Sequence, residues 1–151
     1  MHRYQETRML PYPPAALYAL VIDVARYPDF LPWCRAARIL SQEESGFLAE
    51  LVVSFSHLTE RYTSRVVGTP PGEASEGTIA VTLVRGPFRS LSNHWRFVPH
   101  GEGTEIHLDL AFEMKSRLLE SLMGGLFARA AEKMVAAFTT RATALYGPLA
   151  E

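Results

Sequence analysis

Cysteine is nearly missing from this chain. The single Cys34 excludes an internal disulfide and a multi-cysteine metal site. Charge of one sign is missing too: 15 Lys and Arg face 16 Asp and Glu, a formal net charge of −1. No global field draws in nucleic acid, and DNA is not expected as a partner. No run of ~18 apolar residues exists, so no helix is expected to span a membrane. Met1 to Leu10 is polar and alternating, without the apolar stretch a secretion signal needs. The five histidines (His2, His57, His94, His100, His107) lack ligand spacing, and no nucleophile-elbow signature is present. With no repeat or low-complexity linker, residues 1–151 read as one cytoplasmic domain with no metal, no cofactor and no catalytic residue assigned.

What is there is periodicity. Arg3 to Met9 reads as a strand, and Pro13-Pro14 opens a helix whose stripe is Leu17, Leu20, Val21 and Val24. Pro28 and Pro32 then force an aromatic-rich turn or single helical turn over Tyr27 to Cys34. From Arg35 the period becomes two. One strand lies at Ala37 to Gln42, and the next turns Phe47, Ala49, Leu51, Val53 and Phe55 to one face. After a turn near Ser56-His57 comes a strand with Tyr62, Ser64 and Val66 on one side. Two further strands flank Gly86-Pro87, and a hairpin at His100 to Gly103 leads to a last strand with Ile106, Leu108, Leu110, Phe112 and Met114 inward. Ser116 then caps a long helix predicted to reach about Tyr146 with the stripe Leu119, Met123, Leu126, Ala130, Met134, Ala137 and Leu145, widened by Phe127 and Phe138. Six hairpin-linked strands make an antiparallel sheet whose apolar face must be covered. At 1.5 Å per residue the last helix is ~45 Å long, enough to cross the sheet. The fold class is α+β: a curved antiparallel sheet around a long C-terminal helix, with a gap between them as the candidate site.

Within that frame, Leu83 to Val98 stands out. Ile79, Val81 and Leu83 share one face before the Gly-Pro turn; Leu91, Asn93, Trp95 and Phe97 share one after it. Two aromatics and one amide on an apolar face describe a greasy wall with a polar anchor. Asn93 either bonds a neighbouring strand or contacts a ligand, because an unpartnered buried amide costs on the order of 1–3 kcal/mol; Ser64 and Tyr62 pose the same choice. Glu60 is in register with that face and is either a buried acid of raised pKa or a wet strand end paired with Arg61 or Arg65. Cys34 is a reactive thiol or a small buried filler. Gly124-Gly125 costs roughly 1 kcal/mol per glycine against alanine, which implies a close approach or a break there. Arg117, Arg129, Lys133 and Arg141, mixed with Glu120 and Glu132, form a solvated face or touch anionic lipid or RNA phosphate.

Two motifs, Tyr27-Pro28-x-Phe30-x-Pro32-Trp33-Cys34 and Gly86-Pro87-Phe88-x-x-Leu91-x-Asn93-x-Trp95-x-Phe97, sit in the order β, α, short α, six strands, α. Together they resemble the START-like coenzyme Q-binding family of the polyketide cyclase/START superfamily, which includes bacterial ribosome association toxins and mitochondrial coenzyme Q-binding proteins. The resemblance implies a helix-grip (START/Bet v 1-like) fold with a hydrophobic tunnel and no catalytic residues. It implies as ligand ubiquinone or another polyprenyl quinone, bound in support of respiratory electron transport. Contact with the inner membrane from the cytoplasm, or with the large ribosomal subunit, follows as the alternative partner. Phe47, Leu51, Phe55, Tyr62, Val66, Leu83, Leu91, Trp95, Phe97, Leu110 and Phe112 are expected to line the sheet side, with Leu119, Met123, Phe127, Met134 and Phe138 opposite. Asn93 and Tyr62 are expected to orient the quinone carbonyls, and Tyr27, Phe30, Trp33, Pro87 and Phe88 to form the mouth. On the ribosome reading, Arg129 and Lys133 carry the contact. A third reading is a cyclase-type enzyme with Glu60 or a pocket histidine as acid–base group.

Overall fold

A computed structural model describes residues 1–55 and 58–147; the turn expected at Ser56-His57 lies outside the described residues. Seven strands form one antiparallel sheet in the order β1-β7-β6-β5-β4-β3-β2. They are β1 His2–Leu10, β2 Cys34–Gln42, β3 Phe47–Phe55, β4 Leu58–Thr69, β5 Gly77–Arg85, β6 Phe88–His100 and β7 Gly103–Met114. The alternation in the sequence becomes alternation of burial, most regularly in β7, where every second residue from Thr104 to Met114 is buried. Consecutive strands from β2 onward pair as hairpins, and β1 adds to the free edge of β7, with Tyr4 opposite Leu110.

The two edges are blunted in different ways. On β1 the half-buried positions include Glu6 and Arg8, which pair with each other at 2.6 Å. The β2 edge is broken by irregularities at Cys34/Ala36 and Ile39/Ser41. Bulges and charge on an edge discourage pairing with another chain. The β5–β6 turn depends on Gly86: its φ is +155°, and a Cβ there would meet Tyr62 Cβ at 2.5 Å.

The helices cover one face. Helix α1 (Pro14–Ile22) starts with proline in its first turn and buries Leu17, Leu20 and Val21. A 3₁₀ segment, Val24–Asp29, follows and buries Val24. Ser116 caps the C-terminal helical region, its Oγ accepting from the Leu119 N–H at 3.1 Å. That region is interrupted at Gly124-Gly125, one of the two readings the glycine pair allowed, and again at Lys133. It is α2 (Arg117–Leu119), a π-helical turn (Glu120–Gly124), α3 (Gly125–Glu132) and α4 (Met134–Tyr146), with Lys133 between the last two at φ −98°, ψ 0°.

The cause of the wide turn is visible at Gly124. The Glu120 carboxylate fills the place where a Cβ would stand and reaches His2 Nε2 at 2.7 Å. A π turn inserts an extra residue and so rotates the remainder of the helix about its axis. Ala131, Val135 and Ala142 are buried in consequence, whereas Leu145, expected on the inward stripe, is 52% exposed. Gly125 has helical φ and no neighbour within 4 Å of a built Cβ. Gly125→Ala is therefore expected to stabilise by roughly 0.5–1 kcal/mol through lost unfolded-state freedom. A calorimetric scan should show Tm raised by about 2–4 °C; a lowered Tm would mean the bare backbone there is needed.

The candidate cavity and its mouth

The concave face is filled at both ends by aromatic rings. At one end Phe138 packs edge-on to Phe30 (5.1 Å), Trp95 (5.3 Å) and Tyr27 (5.4 Å), with Phe97 stacked beyond Trp95 at 6.1 Å. Arg141 lies 5.1 Å over the Phe30 ring and 3.7 Å from Asp29. It clamps α4 to the 3₁₀ segment rather than joining a solvated face. At the other end Phe127 meets Phe112 at 4.8 Å and Phe88 at 5.0 Å, and Tyr62 meets Phe88 at 5.3 Å. Edge-to-face pairs of this kind are favourable beyond their buried area.

Between the clusters lies a cavity of about 60 Å³. Its floor crosses the sheet from Leu51 and Val53 on β3 through Tyr62, Ser64 and Val66 on β4 and Val81 on β5 to Asn93 and Trp95 on β6. Val81 pairs directly with both Val66 and Asn93, so the floor is one row across three strands. The roof is Phe127, Ala130 and Ala131 of α3 with Met134 of α4, and Val24, Tyr27, Leu31 and Trp33 close the end.

Of the residues expected to line a pocket, Leu51, Tyr62, Val66, Asn93, Trp95, Phe127, Met134, Tyr27 and Trp33 do so. Phe97, Phe112, Phe138, Phe30, Phe88 and Pro87 do not: the five rings plug the two ends, and Pro87 is buried beside Phe88 in its turn. Leu91, Leu110 and Met123 are buried in the core, and Phe47, Leu83 and Leu119 pack half-buried around it. Phe55 lines an outer groove instead. Ser64, weighed as a ligand contact, lines the cavity too, whereas Val24, Leu31, Val53, Val81, Ala130 and Ala131 were missed. Most of them are small, and space opens where side chains stop short; an Ala130-Ala131 pair facing Ser64 and Val81 was the readable signal.

The cavity has little chemistry. Among the described residues that line it there is no carboxylate, imidazole, amine or guanidinium. Burial pushes the Tyr27 and Tyr62 phenols well above their usual range, and the Tyr27 hydroxyl donates to the Val21 carbonyl. Glu60 is half-buried on β4 and is not part of the lining; Arg61 and Arg65, its expected partners, bridge instead to Glu50 and Glu43. Cys34 is a buried thiol whose pKa is pushed up to about 11 by burial, so at neutral pH it is protonated filler. One polar group of the lining is out of balance: Asn93 Oδ1 is buried without a hydrogen-bond partner among the described residues.

An outer groove shares Trp33 and Ala130 with the cavity lining. Pro32, Ser54, Phe55 and Leu126 form the groove walls, and Arg129 and Lys133 supply its charge.

A curved antiparallel sheet gripping C-terminal helices over an internal apolar cavity defines a helix-grip protein. Residues 10–139 match the family described as "Polyketide cyclase / dehydrase and lipid transport", and the chain belongs to that START-like family. It is 43% identical over 142 residues, 94% of this chain and 97% of the relative, to ribosome association toxin RatA of Rickettsia prowazekii. It is 33% identical to the mitochondrial coenzyme Q-binding protein COQ10 homolog B of Xenopus laevis, covering 95% of this chain and 59% of that one. Among solved structures, the 18 kDa protein CC1736 of Caulobacter crescentus has a TM-score of 0.73 at 39% identity, covering 98% and 100% of the two chains. A START superfamily protein from Mycobacterium smegmatis (TM-score 0.77, 21% identity, 96% and 99% covered) and the Zhui aromatase/cyclase of Streptomyces (0.78, 18%, 93% and 93%) share the fold.

Proposed function

We propose that the protein binds a polyprenyl quinone without catalysing a reaction on it. The observation that carries this reading is the unpartnered Asn93 Oδ1 in a wall otherwise built of apolar and aromatic groups. A carboxamide offers its Nδ2–H to a quinone carbonyl and its Oδ1 to a quinol hydroxyl, so the unpartnered Oδ1 is satisfied by the reduced head group, while the oxidised one bonds only the Nδ2 donor. The absence of any lining group that titrates near neutrality argues against acid–base chemistry there. A relative named as a coenzyme Q-binding protein supports the ligand class.

The closed cavity is smaller than the open tunnel expected from the sequence. An engineered apolar cavity of roughly 150 Å³ binds benzene, and about 60 Å³ is well below that size. Binding therefore widens the space under α3. The π turn and the Lys133 break bracket the segment that moves. The head group then reaches Asn93 while the prenyl tail leaves along Phe55, Leu126 and Ala130, each buried methylene adding ~0.8 kcal/mol.

The test uses the chain's two tryptophans, Trp33 and Trp95, which both line the cavity. Titration with a short-chain ubiquinone should quench most of the tryptophan emission saturably. Asn93→Leu should weaken that binding about tenfold while leaving the empty protein at least as stable. Failure of every short-chain ubiquinone to quench saturably sinks the reading.

A second reading is favoured by the name of the Rickettsia relative, a ribosome association toxin matched over nearly its full length. On it, the protein contacts the large ribosomal subunit through Arg129 and Lys133. Co-sedimentation with large subunits, lost on charge reversal at those two positions, would establish that role; free protein in the supernatant would remove it.

A further inference from the structure

The helical region before the groove carries an apolar ridge that none of the described residues covers. Leu118 is 68% exposed and Leu122 46% exposed. With half-buried Leu126 they recur every four residues, a spacing that keeps them on one side of a helix. The ridge ends at Arg129 and Lys133, both exposed and both without an ion pair among the described residues. Lys115 and Arg117 stand exposed at its other end, also unpaired among the described residues. The acids of the stretch are Glu120, held by His2, and Glu132.

We infer that this ridge docks the protein on an anionic lipid surface. Exposed leucines flanked by uncompensated cations match the layered chemistry of a bilayer boundary, with acyl chains below and phosphates above. RNA would use the cations and leave the leucines in water, so the apolar half of the ridge favours lipid. Docking in this pose sets the groove, and the cavity behind Trp33 and Ala130, against the membrane. That last point alone rests on the quinone reading; the docking surface stands without it.

The experiment is flotation of the full chain with phosphatidylcholine vesicles, with and without phosphatidylglycerol, at low and high salt. The native protein should float with phosphatidylglycerol vesicles and stay behind with phosphatidylcholine alone. Arg129→Gln with Lys133→Gln should lower the partition coefficient about 25-fold, at roughly five-fold per cation. Leu118→Ser with Leu122→Ser should lower it at least tenfold, with Tm and quinone quenching in detergent unchanged. Native protein that ignores phosphatidylglycerol vesicles overturns the inference, as does undiminished flotation of the leucine variant. Loss of ribosome co-sedimentation in the leucine variant with vesicle binding intact also overturns it, and assigns the ridge to a ribonucleoprotein. Quenching lost with flotation kept would fault the quinone reading instead.

Discussion

Phe127→Ala is expected to cost about 3–5 kcal/mol, near the top of the range for a single truncation in a core. The ring is 6% exposed and is the meeting point of Phe112, Phe88, Phe55 and Tyr62 at centroid distances of 4.8 to 6.4 Å. Removing it deletes four aromatic contacts and enlarges a space already present beside it, and the surrounding rings cannot collapse onto both at once. Domains are stable by only ~5–15 kcal/mol, so the change consumes a large fraction of what there is. A thermal melt should fall by about 10–15 °C. Quinone quenching measured below the transition should persist, because the truncation widens the wall without touching Asn93. A fall in Tm of under about 3 °C would show that the aromatic plug does not hold α3 on the sheet.

That plug is also where sequence and structure part company. The strands were legible because a pleated chain with one wet face must alternate, and β7 does so without exception from Thr104 to Met114. The Gly86-Pro87 turn was legible because few other residues tolerate its backbone. The C-terminal helix was only half legible: an apolar repeat fixes a face for an unbroken helix, but Glu120 folding over Gly124 inserts a π turn that rotates the face mid-course. The site was harder still. Periodicity says which residues point inward and is silent on which of them meet. Phe112 and Phe138 point inward as expected but fill space instead of enclosing it, and Phe88, expected at the mouth, does the same. The cavity persists where Ala130 and Ala131 face Ser64 and Val81, a coincidence of small residues from three elements far apart in sequence.

Ala131→Leu turns that coincidence into a test of where a guest sits. Ala131 is 1% exposed and lies in the cavity roof, and Val135 at the start of α4 is fully buried beyond it in the chain. The substitution adds three carbons to a void of about 60 Å³. Burial of those carbons contributes up to ~2 kcal/mol, and local overpacking costs a typical 1–3 kcal/mol, so Tm is expected to move by only a few degrees. Quinone binding, which needs the same space and more, should fall by more than an order of magnitude in the fluorescence titration. Ala136→Leu, on the exposed side of α4, adds the same carbons outside the cavity and should bind as the native chain does. Filling the roof separates two explanations of any quenching. The larger side chain of Ala131→Leu excludes a guest held between Asn93 and α3 but leaves room for a quinone lying on the outer groove against Trp33. Full quenching of the filled variant would therefore move the binding site out of the interior and onto the surface.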